Sequence, residues 1–221
     1  MQRIRLAHIA SSITSTILLS GCRKKVTEEK PPEELDLGII INSIYKNKYF
    51  GFSITVPSDW SIQDQNNRQQ MMDAGAKTFA GEDPNLKAAV EASQLQTVNL
   101  LTVTKYPLGS PVSFNPNIVC VAERVDDMPE IKSGKDYLLN ARKFLESGQM
   151  TYSFPREIST AKLGDKEFDL LFAELTTAGI KVQQKYHTVI MKGYALVFIE
   201  SFTNAEEESY LGNILRSVSF K

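Results

Sequence analysis

The sequence has few of the residues that carry chemistry. Its 221 residues include two histidines, two cysteines and one tryptophan. His8 and Cys22 lie near the start, which leaves His187 and Cys120 for a folded domain. Histidine is the usual general base and metal ligand near neutral pH, so Ser–His or Cys–His catalysis would have to run through His187. With Cys22 set aside, no intramolecular disulfide is available. No glycine-rich phosphate loop follows a strand, no Gly-x-Ser-x-Gly elbow occurs, and HExxH and CxxC are absent. No cofactor is expected from these residues. Basic and acidic residues nearly balance, 25 against 26, for a net charge of −1. That leaves no basic footprint for nucleic acid.

A long apolar run is also missing. The most apolar terminal stretch, Leu6 to Leu19, is fourteen residues long and carries five hydroxyl side chains. It is too short to cross a bilayer as a helix. Behind the basic Arg3 and Arg5, it reads instead as the apolar part of a signal peptide. It ends in Leu19-Ser20-Gly21-Cys22. That tetrad resembles the lipobox of bacterial lipoproteins, which implies that Cys22 is acylated and becomes the first residue of the mature chain. Loss of residues 1–21 takes Arg3 and Arg5 away and moves the net charge from −1 to −3. Attachment is then by lipid chains on Cys22, with the domain outside the cytoplasm. The alternatives are an ordinary signal peptide or a buried N-terminal helix.

Residues 22–38 continue as RKKVTEEKPPEELDLG after the cysteine, charged and proline-bearing. They read as a tether with a root-mean-square span of roughly 20–25 Å. Arg23, Lys24 and Lys25 add a weak attraction to anionic lipid. A single domain is expected over 39–221, long enough for a sizeable core.

What is present centres on Tyr45 to Trp60. Phe52, Ile54 and Val56 alternate with Ser53 and Thr55, the period of a strand with one apolar face. Gly51 permits a bulge or a close backbone approach. Pro57 ends the strand, and Trp60 and Ile62 resume the alternation after a turn. As the lone indole, Trp60 is expected to anchor this hairpin. Ile39 to Tyr45 is expected to pair with Phe52 to Val56.

Helices are expected from an Asn66 or Asn67 cap to about Phe79, from Asp83-Pro84, from Ser133 to Gly148, and from Thr203 or Asn204 onward. Ser133 with Asp136 has the spacing of a capping box. Glu206, Glu207 and Glu208 open the last helix, where acids favour its positive end. The long strands Lys166–Thr176, Ile180–Met191 and Tyr194–Phe202 are joined by short turns, so they are antiparallel. Lys166–Thr176 and Tyr194–Phe202 are apolar on both faces and need cover on both. The expected class is α+β: an α/β/α sandwich with one mainly antiparallel sheet covered by helices on both faces.

Phe50-Gly51-Phe52, Ile54, Pro57 and Trp60, with the Ser217–Phe220 tail after the last helix, resemble the Mog1/PsbP-like superfamily. The likeness covers roughly residues 39–221. It implies a binding or assembly module of the cell envelope with a protein partner and no catalysis. A photosystem-associated PsbP-like lipoprotein is an alternative, and a hydrolase using His187 a more distant one. Three side-chain groups complete the expectations. Glu123, Asp126, Asp127 and Glu130 form an acidic cluster that is either a weak cation site or a solvated loop. Cys120 sits in an apolar strand and reads as a small core hydrophobe. His187 reads as an exposed or partly covered strand residue.

Overall fold

The computed structural model describes residues 35–221, Ala178 apart. Cys22, the expected signal peptide and most of the expected tether lie outside the described residues. Leu35–Lys221 forms one compact unit.

The chain opens with three short strands, β1 (Ile39–Ile41), β2 (Ile44–Asn47) and β3 (Phe52–Thr55). Asn42 and Ser43 both take positive φ between β1 and β2, the backbone of a tight hairpin turn. β2 pairs antiparallel with β3, with Tyr45 opposite Ile54. The expected hairpin is therefore present, but Ile39–Ile41 forms a separate strand outside it. Gly51 has φ +68, and a Cβ there would lie 2.8 Å from the Lys221 carbonyl oxygen. The close approach expected at this glycine is the passage of the C-terminus.

After Pro57 the chain crosses from this small sheet to a larger one. The Trp60 amide donates to the Pro57 carbonyl, and β4 (Ser61–Ile62) then pairs with β5 (Thr97–Thr104). Between them lie α1 (Gln65–Ala80) and α2 (Pro84–Gln96). The cap of α1 is Asp64, whose carboxylate accepts from the Asn67 amide, rather than Asn66 or Asn67. Asp83 caps α2, with Pro84 in its first turn. α1 packs on α2 and β5, covering a strand that β4 pairs only at its end.

β6 (Asn117–Arg124) is followed by α3 (Gly134–Ser147), whose Ser133–Asp136 capping box is complete. β7 (Tyr152–Ser153), β8 (Ser159–Leu163), β9 (Lys166–Thr177), β10 (Ile180–Met191) and β11 (Tyr194–Phe202) come next. The last elements are α4 (Ala205–Leu215) and β12 (Ser219–Phe220). The large sheet runs β4-β5-β6-β11-β10-β9-β7, with β8 also on β9, and every pairing is antiparallel.

The fold is α+β with helices on both faces of the large sheet. The expectation of one sheet needs correction. β1-β2-β3-β12 is a second sheet, and with α4 it closes one face. The physical reason is the Pro57 turn, which ends β3 before it can join the large sheet. The large core lies between the two sheets and α4: Tyr45, Phe52, Ile54 and Trp60 pack with Phe168, Phe198, Phe202, Leu211 and Ile214. On the other face Val125, Ile131, Ala195 and Val197 form a smaller cluster with Tyr137 of α3.

Candidate functional site

A concave surface lies where the β3–β4 corner meets α4. It is a cleft of about 260 Å³ lined by Thr55, Pro57, Trp60, Tyr210, Asn213, Ile214 and Ser217. Its shape follows from local sequence. Pro57 turns the chain and brings Trp60 inward. Ser217, at the end of α4, accepts from the Thr55 amide and donates from its hydroxyl to the Thr55 and Ile214 carbonyls, clamping helix to strand. Tyr210 and Asn213 fall on the side of α4 beside the buried Leu211, Ile214 and Leu215. Tyr210 remains half exposed.

At one end, the Lys105 ammonium sits 5.3 Å from the Trp60 ring centre and 5.8 Å from that of Tyr210. It also lies 2.5 Å from the Asp59 carboxylate, and that hydrogen bond holds the Asp59 carboxyl below its usual range. The Tyr210 hydroxyl donates to Glu206, and Arg216 donates to Asn213. The rim carries two cations and two acids around an apolar floor. Tryptophan, tyrosine and arginine are the side chains that dominate binding energy at protein interfaces.

The sequence-predicted residues lie elsewhere. His187 is not exposed: it is buried in the large core, with Nε2 2.7 Å from Glu200 Oε1. His187 faces Phe198, and Glu200 faces Lys185, so β10 and β11 set the two side chains diagonally on one face. Among the described residues, His187 Nδ1 and Glu200 Oε2 have no hydrogen-bond partner, and no serine or cysteine meets either ring nitrogen. Pattern reading had a signal for this pair. Glu200 occupies an inward position between Phe198 and Phe202, and the short turn at Lys192-Gly193 fixes which β10 residues oppose it.

The acidic cluster is not gathered around a common point. Glu123 turns to the helical face, where it accepts 2.6 Å from the Tyr137 hydroxyl and 3.5 Å from Ser93. Burial pushes its carboxyl up, against those two hydrogen bonds. Asp126 is held bidentately by Arg124, which keeps its carboxyl low. Asp127 and Glu130 are exposed. Among the described residues no group of three or more His, Cys, Asp or Glu is arranged to hold a metal ion. Cys120 is buried, and burial raises its thiol far above the ordinary value. The three acids of α4 are all engaged. Glu207 accepts from the Thr203 amide and hydroxyl, Glu208 pairs with Lys185, and Glu206 accepts from Tyr210.

No family model matches this sequence, and no curated protein matches it. Similar solved structures exist. The solution structure of cyanobacterial PsbP (CyanoP) from Synechocystis sp. PCC 6803 is 11% identical, covers 83% of this chain and 96% of its own, and has a TM-score of 0.48. LpqN of Mycobacterium tuberculosis, a protein involved in cell envelope biogenesis, is 15% identical over 77% of this chain and 83% of its own, with a TM-score of 0.43. Among the described residues no helix is long and apolar enough to cross a membrane.

Proposed function

We propose that the protein is a lipid-tethered binding or assembly module of the bacterial cell envelope, without catalytic activity of its own. The observation that carries this reading is the division of labour between core and surface. The histidine and cysteine of the folded domain are sealed inside, while the open cleft is walled by Trp60, Tyr210 and Ile214. Such a surface offers apolar area and hydrogen bonds at its rim, which suits a protein partner. Leu19-Ser20-Gly21-Cys22 supplies the tether in this reading.

The test is photo-crosslinking in native membranes, with the reactive group at Tyr210 and a control at the exposed Leu95 of α2. A discrete adduct from position 210 and none from 95 is the expected result. Equal yields from both positions overturn the cleft as the binding surface. A Cys22→Ala chain partitions out of the detergent phase if the tether is lipid. Unchanged partitioning sinks that half of the reading.

A further inference from the structure

Among the described residues ten large hydrophobic side chains stand exposed, and four of them lie within five residues: Leu37, Ile39, Ile40 and Ile41. Single exposed apolar residues are ordinary, but a contiguous group marks a contact surface. β1 is the edge strand of the small sheet, and its isoleucines are between 45% and 50% exposed. A strand apolar on both faces asks for cover on both. Ile39 and Ile41 pair opposite Lys46 and Ile44, so these four side chains share one face of the hairpin. Lys46 and the neighbouring Lys48 are exposed.

The chain enters the domain at the same place, and it is fixed there. The Asp36 carboxylate accepts from the Gly38 and Lys48 amides, and these bonds hold its carboxyl low. Asn47 donates to the Asp36 carbonyl and the Tyr45 hydroxyl to that of Leu37. Gly38 has φ +79, and the Tyr45 ring fills the space where a Cβ would stand, 2.3 Å away. The point where a tether pulls on the domain is therefore rigid and lies directly beside the isoleucines.

From this coincidence we infer that the β1–β2 hairpin is a second membrane contact, resting its Ile39, Ile41 and Ile44 face in the interfacial region of a lipid surface. This rests on the proposal that Cys22 is acylated. Sixteen residues lie between Cys22 and Ile39, a flexible span of roughly 20–25 Å, so anchoring brings this end of the domain to the headgroups first. Apolar side chains flanked by lysine, whose long stem lets the charge reach the headgroups, are what an interfacial segment presents. Among the described residues of the hairpin and its entry, the one acid, Asp36, already has its carboxylate occupied by backbone amides. Pairing with a partner's strand is less well served, since β1 offers only three residues of edge.

The test uses the full anchored chain in vesicles of phosphatidylcholine and phosphatidylglycerol. A polarity-sensitive fluorophore is attached at Ile41→Cys or, as control, at Leu95→Cys; the native Cys120 is buried and takes up no label. Expected are a blue shift and several-fold stronger quenching by a lipid-borne quencher at 41 than at 95. Equal, water-like emission at both positions overturns the inference. So does a blue shift at 41 that appears in vesicle-free solution as protein concentration rises, which would mean that a second copy covers the strand. The parent chain, with neither substitution, checks the anchor separately. Dye uptake there means a free Cys22 and sinks the acylation reading. The contrast between 41 and 95 is then measured in a Cys22→Ser background on added vesicles and still decides the hairpin.

Discussion

The two faces of the large sheet are closed by different means. On one, a second sheet and α4 press aromatic rings together: Phe52 meets Phe198 edge-on at 5.3 Å, and Phe168 meets Phe198 at 5.9 Å. On the other, α2 and α3 meet the sheet partly through polar groups, with Tyr137 and Ser93 reaching Glu123 and the Lys135 amide reaching Asp169. The first closure depends on apolar area, which is non-directional and large. The second depends on a smaller apolar cluster together with hydrogen bonds of modest net worth that are expensive to leave half-made. Substitutions on the two faces should therefore fail in different ways.

The largest effect is expected where the aromatic face is pinned. Trp60 is 8% exposed and ties the sheet crossover to the core. Trp60→Ala should cost about 4 kcal/mol, typical of a large aromatic lost from a core. The loss is read as a fall in the urea midpoint. An unchanged midpoint would mean that the indole serves the cleft and adds nothing to the closure.

Next comes the polar exception within that apolar face. Removing one member of a buried hydrogen-bonded pair strands the other's polar group, so His187→Leu should cost about 3 kcal/mol. Converting both members, His187→Leu with Glu200→Leu, should recover most of it, because two buried polar groups are then replaced by apolar bulk. If the double variant is as damaged as the single one, shape and not polar pairing is what the site needs.

This pair also marks the limit of pattern reading. Strands β9 and β11 were legible because their apolar residues run on both faces, and β10 because short turns join it to both. The capping box of α3 and the Asp83-Pro84 start of α2 were legible because each depends on a few adjacent residues. The second sheet was not, because its four strands are two to four residues long and β12 reaches β3 from the far end of the chain. The cleft was half legible. Trp60 stood out by being unique, while Tyr210 and Ile214 looked like any buried helical stripe until α4 was placed against the Pro57 turn. The burial of His187 hung on a diagonal across two strands, which a one-strand periodicity does not contain.

On the helical face the effects shrink. Ser133→Ala removes the side chain that accepts from the Asp136 amide at the start of α3. The expected loss is about 1 kcal/mol, the usual worth of an N-cap, measured by chemical denaturation. Ser133→Thr, which keeps the hydroxyl as both acceptor and donor, should lose less. Equal losses for the two would show that α3 is held by packing on β9 and β10 alone.

The smallest effect is a dependence on pH. Burial raises the Glu123 carboxyl above its ordinary value of 4.5. Between the unfolded and folded values the native state therefore holds more protons than the unfolded one, so stability falls as pH rises through that window. Below it both states are protonated and Glu123 contributes nothing; above it both are ionised and the full penalty is present. Carboxyls held low, Asp36 by its backbone donors and Asp136 by the Ser133 hydroxyl and then by backbone amides, act in the opposite sense and lose their contribution as pH falls. The difference between parent and Glu123→Gln isolates the one group. The amide can still accept from Tyr137 and carries no charge, so the variant should match the parent near pH 4 and gain on it towards pH 7. The gain stays small because the side chain is not fully shut off from solvent. A variant that loses ground as pH rises would mean that the Tyr137 and Ser93 hydrogen bonds outweigh burial and that this face, too, is stabilised by its charge.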